Sequence, residues 1–215
     1  MRNWKKLMIA ALIVLLIIWT AGCVEEWEVR TPEPETPAET ITSTPIPTSS
    51  QTATPPLTTE PQTTIFNNEI EIIGDQEFIR QVEAALTLLK DKDPEAFSMV
   101  EKYIGRIEQG DHSGMWAYKD PPTFELTDRT AFYSVTWCAS VIAHDSYHSK
   151  LYHDYRSTHS GSVPDDVWRG VEAERQCIAY QLNVAIKIGA PQREIDYLKS
   201  LDGTHGNTPY KERDW

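Results

Sequence analysis

The chain is predicted to carry one α+β domain over residues 65–215, mostly helical, with about five helices and a small β-hairpin or sheet. Three observations predict it. Apolar residues recur at helical spacing through most of that segment, as at Phe78, Ile79, Val82, Ala85, Leu86 and Leu89. Only residues 69–73, 115–118 and 123–126 read as short extended pieces. The segment is about 150 residues long, a common size for one domain with one core.

Two segments that build no core precede it. Residues 1–6 carry Arg2, Lys5 and Lys6, residues 7–19 are apolar, and Thr20, Ala21, Gly22 and Cys23 follow, which is the pattern of an export signal. The apolar run is shorter than the ~20 residues a spanning helix needs. The run ending at Cys23 resembles the lipobox of prokaryotic lipoproteins, with Thr20 where that family usually has an aliphatic residue. The resemblance implies cleavage after Gly22 and a lipid on Cys23. An uncleaved signal anchor is the alternative. Either reading places the remainder outside the cytoplasm, tethered to a membrane.

Residues 24–64 are predicted to be a disordered Thr/Pro-rich stalk, with proline at positions 32, 34, 37, 45, 47, 55, 56 and 61. At ~3.1 Å per residue it would extend roughly 100 Å, and its Ser/Thr content permits O-linked sugar. Removing residues 1–23, which hold three cations and no acid, takes the formal charge from −12 to −15. So acidic a chain is a poor partner for nucleic acid.

Within the domain, residues 69–73 are extended and Gly74-Asp75 turns the chain into a helix lasting to Lys90. Asp93-Pro94 caps a second helix that points Phe97, Val100, Ile104 and Ile107 inward and breaks at residues 110–114. Asp120, Pro121 and Pro122 separate the two extended pieces of a hairpin. Asp128 is predicted to cap a central helix running to about Tyr152, apolar on nearly every side at Phe132, Val135, Trp137, Ala139, Val141, Ile142 and Ala143. Residues 155–163 read as a loop, Pro164 opens a helix ending at Gly189, and Pro191 opens a short last helix. Residues 202–207 form a glycine-flanked loop able to return His205 to a site.

The central helix carries His144-Asp145-Ser146-Tyr147-His148. Histidines four apart lie about 40° apart around a helix, so both rings can address one ion, and zinc is the usual occupant. Two buried imidazoles need partners, since an unpaired buried polar group costs about 1–3 kcal/mol. The next long helix offers Glu174 and Glu172 as a third ligand, and Glu174 is preferred because it is closer in angle to Cys177. With Cys23 lipidated, Cys138 and Cys177 are left as a pair in an oxidising compartment and are expected to form a disulfide joining the two helices.

This pattern resembles the gluzincin class of zinc metallopeptidases, in which a helix bears H-E-x-x-H and a later helix bears a glutamate ligand. The resemblance covers about residues 115–185, with His144 and His148 at the histidine positions and Glu174 or Glu172 at the glutamate position. It implies a hairpin beside the active helix, a zinc-bound water and a peptide as substrate. The chain departs from the class at Asp145, which stands where the proton-accepting glutamate would be and is one methylene shorter. Asp145 is then the expected base, with His205, Tyr147 or His153 available to the oxyanion. Two functions follow: a tethered metallohydrolase, or a noncatalytic envelope domain with a structural metal or a histidine pair. Three protein ligands favour the first, and a fourth favours the second.

Overall fold

Residues 60–204 are described by a computed structural model; the signal segment with Cys23, the stalk as far as residue 59, and His205 lie outside the described residues. The order is β1 (Gln62–Phe66), β2 (Ile70–Gly74), α1 (Gln76–Lys92), α2 (Pro94–Tyr103), β3 (Arg106–Gln109), β4 (Gly114–Trp116), β5 (Thr123–Leu126), α3 (Asp128–Ala131), α4 (Val135–Thr158), α5 (Asp165–Arg169), α6 (Val171–Lys187) and α7 (Gln192–Ser200). The predicted class, α+β and mostly helical, is what forms. Five helices have nine or more residues, and α3 and α5 are single turns.

The sheet is larger than a hairpin. Its order is β1-β2-β3-β5-β4, antiparallel at both edges and parallel between β2, β3 and β5. β1 begins at Gln62, three residues before the predicted domain start, and turns into β2 through Asn67 and Asn68, whose φ values of 52° and 63° suit a tight hairpin. β3 replaces the expected last turn of the second helix: α2 stops at Tyr103, and Ile107 is fully buried in a central strand. Gly105 permits the change of course, because a Cβ there would meet the Pro121 side chain at 2.5 Å.

The expected central helix is two helices. Thr127, rather than Asp128, caps α3, and Ser134 in extended backbone caps α4 by accepting from the Trp137 N–H at 2.8 Å. Phe132 and Val135 therefore lie at the break, 40% and 36% exposed, and Trp137 is half-buried between Tyr133 and Tyr197. α4 runs on to Thr158 through what reads as loop, and packs against α1, α2, α5 and α6. Phe78, Leu86, Ile107, Phe124 and Ile142 fill the main core. Among the described residues no helix is long and apolar enough to cross a membrane.

Ser134 also donates to Glu194 at 2.8 Å, and Thr136 donates to the other Glu194 oxygen at 2.8 Å, which satisfies a nearly fully buried carboxyl group on α7. Ser134→Ala removes a cap and one of these donors. It is expected to cost about 2–3 kcal/mol, visible as a fall of roughly 5–10 °C in the melting temperature of the full chain; a fall under 1 °C would show that neither contact matters.

Candidate metal centre

The site is built by two helices in antiparallel register. Gln181 on α6 donates to Ser140 on α4 at 3.2 Å, and two turns away Glu174 faces both histidines. His144 Nε2 and His148 Nε2 are 3.0 Å apart, and Glu174 Oε2 lies 3.4 Å from the first and 3.6 Å from the second. A tetrahedral zinc with usual Zn–N and Zn–O distances has ligand atoms about 3.3–3.5 Å apart, so these three atoms already stand close to the edges of a coordination triangle. Cys177, one turn past Glu174, joins the histidines in a group whose ligand atoms all lie within 4.8 Å of one another. His144, His148 and Cys177 can together hold a metal ion.

The break in the chain before α6 supplies the outer support. α5 ends at Gly170, where a Cβ would meet the Asp166 carbonyl oxygen at 2.8 Å and its Cα at 2.9 Å, so glycine is required for the close turn into α6. Ending α5 there leaves the Trp168 carbonyl among its orphan acceptors, and His148 Nδ1–H donates to it at 2.5 Å. That bond fixes the ring and leaves Nε2 toward Glu174, as metal-bound histidines are commonly held. His144 has no such support, and its buried Nδ1 has no hydrogen-bond partner.

Electrostatics oppose burial throughout the cluster. Burial would strip the proton from His148, but Cys177 and Glu174 beside it hold its pKa well above the ordinary histidine value. Burial would raise Glu174, but His144 and His148 hold its carboxyl well below the usual carboxylate range. Burial pushes the Cys177 thiol up against the opposing pull of His148. Without an ion, Glu174 is held toward its carboxylate and His148 toward its protonated form, with Cys177 beside them.

The structure sorts the predicted residues. It brings His144, His148 and Glu174 together. Glu172 is excluded: its side chain is 72% exposed and pairs with Arg175 at 3.5 Å. The expected Cys138–Cys177 disulfide is absent, and both cysteines are free and buried. The helix register explains this. Cys138 lies two residues before Ser140 and Cys177 four before Gln181, which in antiparallel helices separates them by about 9 Å along the axes at 1.5 Å per residue, too far for a bridge. Burial alone pushes the Cys138 thiol up to about 12.

Asp145 is buried and lies close enough to Cys177 to act on its charge. Tyr147 stacks near Tyr180 rather than entering the cluster. His153, offered above for the oxyanion, is half-buried against Tyr103 and Tyr152 on another face of α4. The residue missed in the sequence is Cys177 as a candidate ligand, and its signal was its spacing: Glu174 and Cys177 at i, i+3 face His144 and His148 at i, i+4, and paired donors on facing helices are how bundle-core metal sites are built. Comparison of the chain with protein-family models, with curated proteins and with solved structures finds no match.

Proposed function

We propose that this chain is an extracytoplasmic zinc-binding protein, tethered to a membrane through Cys23 or its signal segment, with His144, His148 and Glu174 as zinc ligands. The observation that supports it is the convergence of His144 Nε2, His148 Nε2 and Glu174 Oε2 at 3.0, 3.4 and 3.6 Å, with one ring oriented by a backbone carbonyl. Two imidazoles with one carboxylate suit zinc; magnesium and calcium prefer oxygen donors throughout. The test is metal analysis of the purified full chain. One zinc per chain, lost in His148→Ala, is the expected result, and a wild-type chain without stoichiometric zinc after loading and dialysis overturns the reading.

Peptide hydrolysis is the second reading, favoured by a buried acid next to the first histidine. When bound, zinc supplies Lewis acidity and a water whose pKa falls toward ~7. Asp145 would accept the proton of that water, and its short reach limits the transfer. If reach alone is lacking, Asp145→Glu raises peptidase turnover by roughly tenfold or more, inside the 10²–10⁴ a positioned base supplies. A zinc-loaded Asp145→Glu chain with no turnover on a mixed peptide library rejects hydrolysis and leaves the envelope-domain role.

A further inference from the structure

We propose that Cys177 is the fourth zinc ligand, so that the ion is enclosed by two histidines, a glutamate and a cysteine and has no position left for water. The proposal rests on the zinc reading above and names what closes that site. Three observations lead to it.

The first is placement. Glu174 and Cys177 are three residues apart on α6, about 60° apart around the helix and 4.5 Å along it; Glu174 approaches His148 Nε2 at 3.6 Å, and the Cys177 sulfur lies within 4.8 Å of a ring nitrogen of each histidine. Each helix therefore contributes two donors to one point between them.

The second is which atom of His148 is left for an ion. His148 Nδ1 is taken by the Trp168 carbonyl. That leaves Nε2, the atom that Glu174 approaches, and the Cys177 sulfur lies in one group of ligand atoms with both histidines. With usual zinc distances, a sulfur and a nitrogen on one tetrahedral ion are about 3.6 Å apart, and the present limit of 4.8 Å closes to that with a shift of about 1 Å, within reach of a small side-chain rotation.

The third is enclosure. Cys177 has no exposed surface, Glu174 and His148 are 5% and 6% exposed, and Trp168, whose carbonyl holds the site, is 3% exposed. A metal that works on a peptide must keep one face open to it, whereas a metal with four protein ligands needs no such face. On coordination the Cys177 S–H bond breaks, its proton leaves to solvent and an S–Zn bond forms, with no change of oxidation state.

Cobalt substitution tests this in the full-length chain. Cobalt(II) alone is titrated into metal-free wild type, Cys177→Ser, Cys177→Ala and Cys138→Ser, and the near-ultraviolet thiolate-to-cobalt charge-transfer band is recorded with visible d–d intensity. Wild type and Cys138→Ser are expected to show the band with tetrahedral d–d intensity, and both Cys177 variants are expected to lose it. Zinc affinity, measured by competition with a chromophoric chelator, should fall more than ~100-fold in Cys177→Ala, beyond the 10–100-fold that an outer partner commonly carries. Stoichiometric cobalt without a thiolate band in wild type overturns the role of Cys177 and leaves the three-ligand zinc reading standing. Failure of wild type to bind cobalt or zinc overturns both. Should the Cys177 variants fail to fold, a Cys23→Ser/Cys138→Ser double variant decides, because a band that survives loss of both other cysteines of the chain assigns the sulfur to Cys177, and its loss there overturns the proposal.

Discussion

Stripping zinc from the full chain with a chelator is expected to lower its melting temperature by about 8–16 °C, and His148→Ala is expected to erase the difference between chelated and loaded protein. An ion that binds only the folded state stabilises it by RT ln(1 + [L]/Kd), about 4 kcal/mol when free metal exceeds Kd a thousandfold, and a domain of this size shifts by about 2–4 °C per kcal/mol. The unfolded chain cannot reproduce the site, because its ligands come from two helices, with His148 and Glu174 26 positions apart. His148→Ala should also melt at or below the chelated wild type. It removes the imidazolium that accompanies a buried carboxylate, and breaking such a pair by one partner costs roughly 3–5 kcal/mol. Differential scanning calorimetry with and without chelator checks both statements, and identical wild-type melts with no response to added zinc would reject a metal centre. The bland alternative, a buried Glu–His pair with no ion, predicts that result together with the same destabilisation in His148→Ala.

What could be seen in the sequence was local. The helical spacing from Phe78 to Leu89 stands as α1, and the i, i+4 histidine pair sits where its buried surroundings placed it. Ligand choice on α6 was legible as angle alone, which is why Glu174 could be set above Glu172. The errors lie where one pattern serves two structures. A single inward Ile107 after Gly105 suits a helix end or a buried strand, and only its place between β2 and β5 decides. The break at residues 132–134 was hidden because Phe132, Tyr133 and Val135 keep the segment apolar although they lie on the surface. The disulfide failed for a longer-range reason: pairing of cysteines depends on register between helices, and the register is set by contacts such as Gln181 with Ser140 that no local pattern reveals. Once the register is known, the cysteine that cannot reach its expected partner is the one beside the histidines.

That same register makes the pH response of the site a second large and opposite-signed signal. In the metal-free chain, Glu174 has a folded pKa below its ordinary 4.5, so its contribution to stability is present above that value and is lost as pH falls through the folded pKa. His148 has a folded pKa above its ordinary 6.5, so its contribution is complete below 6.5 and is lost as pH rises through the folded pKa. Both are present together between about pH 4.5 and 6.5, and the chelated chain should be most stable there and soften above it. Zinc reverses the alkaline side, because the ion competes with protons for His148 Nε2 and binds more tightly as they leave. The gap between loaded and chelated melting temperatures is therefore expected to widen steadily from pH 5.5 to 8. Glu174→Gln should remove most of this. It leaves the imidazolium without its anion, costs the chelated chain about 3–5 kcal/mol near pH 5.5, and flattens the alkaline slope because His148 then loses its proton at a lower pH. Glu172→Gln, on an exposed pair, should stay within about 0.5 kcal/mol of wild type at every pH. A loaded-minus-chelated gap that stays constant with pH would mean that the ion is not held by these histidines, and equal effects of the two glutamine substitutions would place the buried charge elsewhere.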